Sequence, residues 1–168
     1  MKLRLRLYPD PVLTHRAEKV TTFDDDLRSR VAKMYDIMYQ ENGVGLAAPQ
    51  VGWLSQVLIL KPAGTLENEE ETLTVINPQI LKKWGKVVEQ EGCLSFPDIF
   101  VDIERPAGIR ASWQDEDGVE HQQDLEGMTA RILLHEMDHL EGVLLIHRMS
   151  PVDRIRYQAA LEDLVAQQ

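Results

Sequence analysis

Gly127-Met128-Thr129-Ala130-Arg131-Ile132-Leu133-Leu134-His135-Glu136-Met137-Asp138-His139-Leu140-Glu141 is the stretch around which the rest of this 168-residue chain is organised. Its period is helical: Met128, Ile132, His135 and His139 recur three or four residues apart and share a face. Gly142 follows and stops the helix. Inside it, His135 to His139 reads HExxH. The i, i+4 spacing sets both imidazoles on one side, close enough to hold one metal ion. Glu136 then lies beside the ion, where it can handle the proton of a bound water. A chain with five His meets this pattern by accident about once in a hundred times. The plainer alternative is a helix carrying two hydrogen-bonded histidines.

Two more helices flank this one. Leu27, Val31, Met34 and Met38 fall at i, i+4, i+7 and i+11, with Thr22 and Asp24 to Asp26 before or at the start and Asn42-Gly43 at the end. A third opens at Ser150-Pro151, a capping residue followed by proline at the first helical position, and carries Tyr157, Leu161 and Leu164. Between the first two helices the period changes to two. Val57-Leu58-Ile59-Leu60 and Leu73-Thr74-Val75-Ile76 read as buried strands, and Ile109, Ala111 and Trp113 alternate with polar residues. Asp115-Glu116-Asp117-Gly118 is a turn into a polar strand near Val119 to Gln123. The acidic run Glu67-Asn68-Glu69-Glu70-Glu71 reads as a solvated loop. Strands in the middle and helices at the ends point to an α+β fold: antiparallel sheets packed around the HExxH helix, with an N-terminal and a C-terminal helix.

Length supports one domain over residues 1–168. A 43% hydrophobic content is enough for a core. The net charge of −10 argues against broad binding to DNA, RNA or anionic membrane. No apolar run approaches the roughly 20 residues of a bilayer span, and the alternating start Met1-Lys2-Leu3-Arg4-Leu5-Arg6-Leu7 lacks the features of a signal peptide. A single cysteine excludes an intrachain disulfide and fits a reducing, cytoplasmic setting.

Two imidazoles leave a catalytic metal short of its usual three protein ligands. Cys93, in Glu91-Gly92-Cys93-Leu94-Ser95-Phe96-Pro97, is the natural third candidate. Its thiolate adds negative charge and weakens the ion as a Lewis acid, so nearby hydrogen-bond donors must contribute more. Gly43-Val44-Gly45-Leu46-Ala47-Ala48-Pro49-Gln50-Val51-Gly52 offers small residues, backbone able to pair with an extended ligand, and the neutral Gln50 amide as a donor to an oxyanion. A Gly/Ala-rich connection between helix and strand explains the same segment.

Taken together, Gly43 to Gln50, Glu91 to Ser95 and His135 to Leu140 resemble the GxGLAAxQ, EGCLS and HExDHL motifs of the peptide deformylases. Tyr8-Pro9-Asp10-Pro11-Val12-Leu13, Arg105-Pro106 and Gly142-Val143-Leu144 look like the same family, so the resemblance covers nearly the whole chain. One departure stands out. Leu134 occupies the position before the first metal histidine, where the family often has Gln, which removes any hydrogen bond a Gln there would make to the site's surroundings.

The resemblance implies hydrolysis of the N-formyl group from the formyl-methionine that starts new bacterial or organellar proteins, releasing formate. It implies that Cys93, His135 and His139 hold one divalent ion, with Fe(2+) favoured over Zn(2+), Ni(2+) or Co(2+), because deformylases with these motifs are iron enzymes. Ligand chemistry alone suits zinc well. Glu136 is expected to act as general base and then general acid. Gln50 and the backbone N–H of Leu94 are expected to stabilise the oxyanion. Gly45 is expected to contact the bound peptide, and Val44 and Ile132 to line the pocket for the methionine side chain. The partners are N-formyl-methionyl nascent peptides, with a transient ribosome contact. Two other classes compete. An HExxH endoprotease could draw its third ligand from His147 or Glu162, but gives the Cys93 motif no task. A closed structural zinc site needs four ligands, and no second Cys exists to close it.

Overall fold

The computed structural model describes residues 2–62 and 72–167. The acidic run from Glu67 to Glu71 lies outside them. Among the described residues, seven strands and five α-helices follow one another as α1 (Asp25–Gln40), β1 (Gly45–Ala47), β2 (Val57–Leu60), β3 (Leu73–Trp84), β4 (Val87–Cys93), β5 (Phe96–Arg105), β6 (Gly108–Gln114), β7 (Glu120–Glu126), α2 (Gly127–Leu140), α3 (Leu145–Arg148), α4 (Pro151–Arg156) and α5 (Gln158–Ala166). One sheet has the order β1-β2-β3-β6-β7 and a second is the β4-β5 hairpin. All these pairings are antiparallel. The fold is therefore mixed helix and antiparallel sheet, as the change of period predicts.

The composition of β2 explains the layering. All four of its side chains are apolar and buried. Val57 and Ile59 pack with Leu27, Val31, Met34 and Met38 of α1. Leu58 and Leu60 point the other way, onto Ile132 and Leu133 of α2. A strand covered by a helix on each face has no polar side to alternate with. Burying each such side chain contributes about 1.5–3 kcal/mol. A third cluster joins Phe96, Ile99, Val101 and Ile103 of β5 to Leu144, Leu145 and Leu164.

The helix ends follow the capping residues. The Asp24 carboxylate accepts from the Leu27 N–H at 2.9 Å, and Ser150 Oγ accepts from the Asp153 N–H at 3.1 Å. Asn42 takes the left-handed turn after α1, at φ 56°. Gly142, at φ 73°, closes α2 where a Cβ would run into the Thr14 carbonyl at 2.5 Å.

Several elements depart from the sequence expectation. β3 continues to Trp84, well past Ile76, through a polar stretch whose residues are half or fully exposed. β4 and β5 are absent from that reading. β5 carries a visible alternation, with Phe96, Ile99, Val101, Ile103 and Arg105 turned inward. β4 carries almost no signal, because its one buried side chain is the carboxylate of Glu91. The single C-terminal helix is instead α4 and α5, broken at Tyr157, with the short α3 before them. The Tyr157 hydroxyl leaves the helix line to donate to the Phe100 carbonyl at 2.6 Å. Among the described residues no helix is long and apolar enough to cross a membrane.

Candidate functional site

The three motif segments reach one place by different routes. α2 presents His135, Glu136 and His139. The tight turn between β4 and β5 presents Cys93, Leu94 and Ser95. The edge strand β1 and the 3-10 turn after it, Ala48–Val51, present Gly45 and Gln50. One ligand atom each from Cys93, His135 and His139 lies within 4.8 Å of the others. Cys93 Sγ is 3.4 Å from His139 Nε2. Tetrahedral bonds of about 2.0–2.3 Å place neighbouring ligand atoms roughly 3.3–3.8 Å apart, so this donor set fits a divalent ion with little adjustment.

Glu91, which the sequence reading left without a role, holds the centre together. Its carboxylate accepts from His135 Nδ1 at 2.8 Å, from Arg105 Nε at 2.5 Å and Nη2 at 2.8 Å, and from Arg131 Nη1 at 2.5 Å. Arg131 also donates to the carbonyls of Ile103 and Val87 at 3.0 and 2.7 Å. Arg105 reaches on to Asp138 at 3.0 Å, and Asp138 to Arg148. Burial alone would raise the Glu91 pKa. The hydrogen bonds from His135 and Arg105, and the charges of both, outweigh it and lower it to about 2. An ionised Glu91 keeps the proton on His135 Nδ1 and leaves Nε2 for a metal. Asp138 serves here by holding Arg105. The signals for this network were in view as Glu91, two residues before Cys93, and the Arg105-Pro106 pair. The pairings of Glu91 span 14 to 44 residues of sequence.

Burial pulls the His135 pKa down, but the Glu136 charge and the bonds from Cys93 and Glu91 outweigh it and leave it well above the usual imidazole range. His139 is pushed well below that range, by burial first and then by the charge on His135.

Glu136 is the other unusual group. Its Oε1 is buried and, among the described residues, has no hydrogen-bond partner. Burial pushes its carboxyl up to about 7; the His135 charge opposes this and Glu91 adds to it. Against it lies Gly45, where an added Cβ would come within 2.8 Å of both Glu136 Oε2 and Ile132 Cγ2. Gly45 is therefore the residue that lets β1 backbone approach the carboxylate.

A cleft of about 550 Å³ opens over these groups. Val44, Gly45, Gln50, Cys93, Leu94 and Ile132 line it with His135 and Glu136. Ile132 is buried in the α2 core and also lines the cleft. The Gln50 side chain is held at both ends: Oε1 accepts from the Ala47 N–H at 2.9 Å, and Nε2 donates to Ser95 Oγ at 3.1 Å and to Cys93 Sγ at 3.5 Å. Leu134 points away from all of this, into the apolar cluster with Trp113 and Leu140. His147 caps Leu144 through Nδ1 at 2.9 Å, and Glu162 accepts from Gln158 at 3.2 Å, so neither joins the three ligand atoms. A second hollow of about 510 Å³, between Tyr8 and α4–α5, contains none of the site residues.

Known proteins resemble this chain in sequence and in fold. The polypeptide deformylase family model matches residues 2–155. A peptide deformylase from Thermotoga sp. (strain RQ2) is 45% identical over 162 residues, covering 96% of this chain and 95% of its own. The chloroplastic peptide deformylase 1B of rice is 42% identical over 149 residues; these cover 88% of this chain and 55% of that longer protein. The crystal structure of peptide deformylase from Plasmodium falciparum superposes with a TM-score of 0.93 at 40% identity, covering 98% of this chain and 96% of that one. A match along nearly the whole chain, in sequence and in fold, places it in the polypeptide deformylase family.

Proposed function

We propose that one catalytic domain, residues 1–168, carries out deformylation with Cys93, His135 and His139 as ligands of a single divalent ion, Glu136 as proton carrier, and Gln50 with the Leu94 N–H as oxyanion donors. Family membership makes the chain a hydrolase that removes the N-formyl group from the formyl-methionine of newly synthesised proteins. When bound, a divalent ion supplies a Lewis acid that polarises a carbonyl and makes water more acidic.

The observation that carries the assignment of roles is the buried, unpaired Oε1 of Glu136 beside the three ligand atoms. A buried acceptor with no partner among the described residues calls for a proton donor, and a water attacking the formyl carbon provides one. Glu136 then returns that proton to the leaving amide nitrogen, so that formate and a free amine depart. Gln50 and the Leu94 N–H face the oxygen on which charge develops. Val44 and Ile132 offer apolar surface to the methionine side chain, and β1, an edge strand with one side unpaired by the sheet, offers backbone to the peptide. Nascent chains are the substrate, met in transient contact with the ribosome in bacterial cytoplasm or in an organelle.

Formate release from a formyl-methionyl peptide, with no cleavage of an unformylated protein, tests this reading; the reverse result favours the protease. Gly45→Ala sets a methyl against Glu136 and Ile132. It is expected to lower kcat by about 10²-fold, as for a misplaced catalytic group, and to lower the melting temperature through overpacking against Ile132. A normal kcat would show that Glu136 does not depend on this close approach.

Ferrous iron is the ion we propose. After anaerobic purification, the iron-loaded enzyme is expected to lose activity in air while Cys93 gains oxygen mass, as thiolates do on oxidation. The nickel-loaded enzyme should survive. A zinc form that proves the most active, with an iron form indifferent to air, would overturn the choice of ion alone.

A further inference from the structure

We propose that Ser95 is a positioning residue that aims the Gln50 amide, an inference that rests on Gln50 acting as the oxyanion donor. Ser95 is fully buried, and its hydroxyl sits between two fixed partners. The hydroxyl carries one hydrogen, which it donates to the Arg6 carbonyl at 2.8 Å. Its lone pairs are then left to accept, and the Gln50 Nε2 donates to it at 3.1 Å. The opposite end of the amide accepts from the Ala47 N–H at 2.9 Å. These two contacts have opposite polarity, so the amide has only one orientation that satisfies both. One Nε2 hydrogen is taken by Ser95, and the other is turned toward Cys93 Sγ, 3.5 Å away in the lining of the cleft.

The N-terminal segment secures this arrangement from behind. The Arg6 N–H donates to the Gln50 carbonyl at 2.7 Å, and the Tyr8 N–H donates to the Ser95 carbonyl at 2.9 Å. Residues 6–8 therefore lock the Gln50 turn and the Cys93 turn into one register. Without the hydroxyl, the amide keeps its Ala47 contact and only a long one to Cys93 Sγ, and the terminal torsion of Gln is soft. The donor would then spend much of its time off target.

The test is a double-mutant cycle on formate release from a formyl-methionyl dipeptide, using nickel-loaded wild type, Ser95→Ala, Gln50→Ala and the double variant at equal metal content. Ser95→Ala is expected to lower kcat roughly tenfold with KM within about twofold. In the Gln50→Ala background the same change is expected to alter kcat by less than about twofold, because Ser95 acts through Gln50. In protein labelled with ¹⁵N at glutamine, the Gln50 side-chain amide hydrogens should exchange faster with solvent in Ser95→Ala. A tenfold loss in both backgrounds, or no loss from Ser95→Ala while Gln50→Ala is impaired, overturns the inference and leaves the oxyanion role standing. A Gln50→Ala variant with a normal rate removes that role and the inference with it.

Discussion

Glu136→Gln is expected to lower kcat by roughly 10²–10⁴-fold, the usual worth of general acid–base catalysis, while the protein still binds its divalent ion. The three ligand atoms of Cys93, His135 and His139 are untouched by the change. The shape of the side chain is kept, so the contact with Gly45 is not disturbed. What is lost is the ability of the buried Oε1 to accept and return a proton. Metal content and rate measured on the same preparation decide the matter. A fully metallated variant with a near-normal rate would remove Glu136 from the chemistry. A variant that loses the metal would show that the carboxylate acts on the ion's retention instead.

Gln50→Ala is expected to cost about 10²–10³ in kcat, as for other lost oxyanion donors. KM should move far less, because the contact strengthens only as charge develops on the oxygen. Steady-state kinetics on a formyl-methionyl peptide separate the two parameters. A raised KM with unchanged kcat would mean that Gln50 binds substrate without favouring the transition state. The Gln50 side chain also bonds the Ala47 N–H, so melting temperature should be followed alongside. A large fall in melting temperature with both parameters damaged would point to disruption of the turn rather than loss of a donor.

The chemistry was legible wherever it is local. HExxH needs only a helix to bring two imidazoles to one face, and the helix is written in the apolar period of Met128, Ile132, His135 and His139. The same holds for α1, whose stripe and Asp24 cap are both short-range features. The two-sided burial of β2 follows from four apolar residues in a row. Cys93 could be named as a candidate third ligand because it is the one cysteine in the sequence and its motif otherwise has no task. The family motifs then tied Gln50 and Leu94 to the same site.

Other features depend on partners far apart in sequence, which composition does not encode. β4 shows no apolar alternation because its buried residue is Glu91, and a buried carboxylate is tolerable only once cations have been brought to it. Those cations, Arg105 and Arg131, come from β5 and α2. An isolated Glu and two isolated Arg read as surface residues until the fold pairs them. The same holds for Ser95, whose hydroxyl gains meaning only between the Arg6 carbonyl and the Gln50 amide. By itself the sequence determined the class of fold, the HExxH helix and the donor types, because each rests on residues within a turn or two of one another. Tertiary structure alone decided how Glu91 holds His135, how Gly45 admits the backbone to Glu136, and how Ser95 holds Gln50. Each of these is a contact a few ångströms long between segments tens of residues apart, and only the packing of α2 and the two sheets closes that distance.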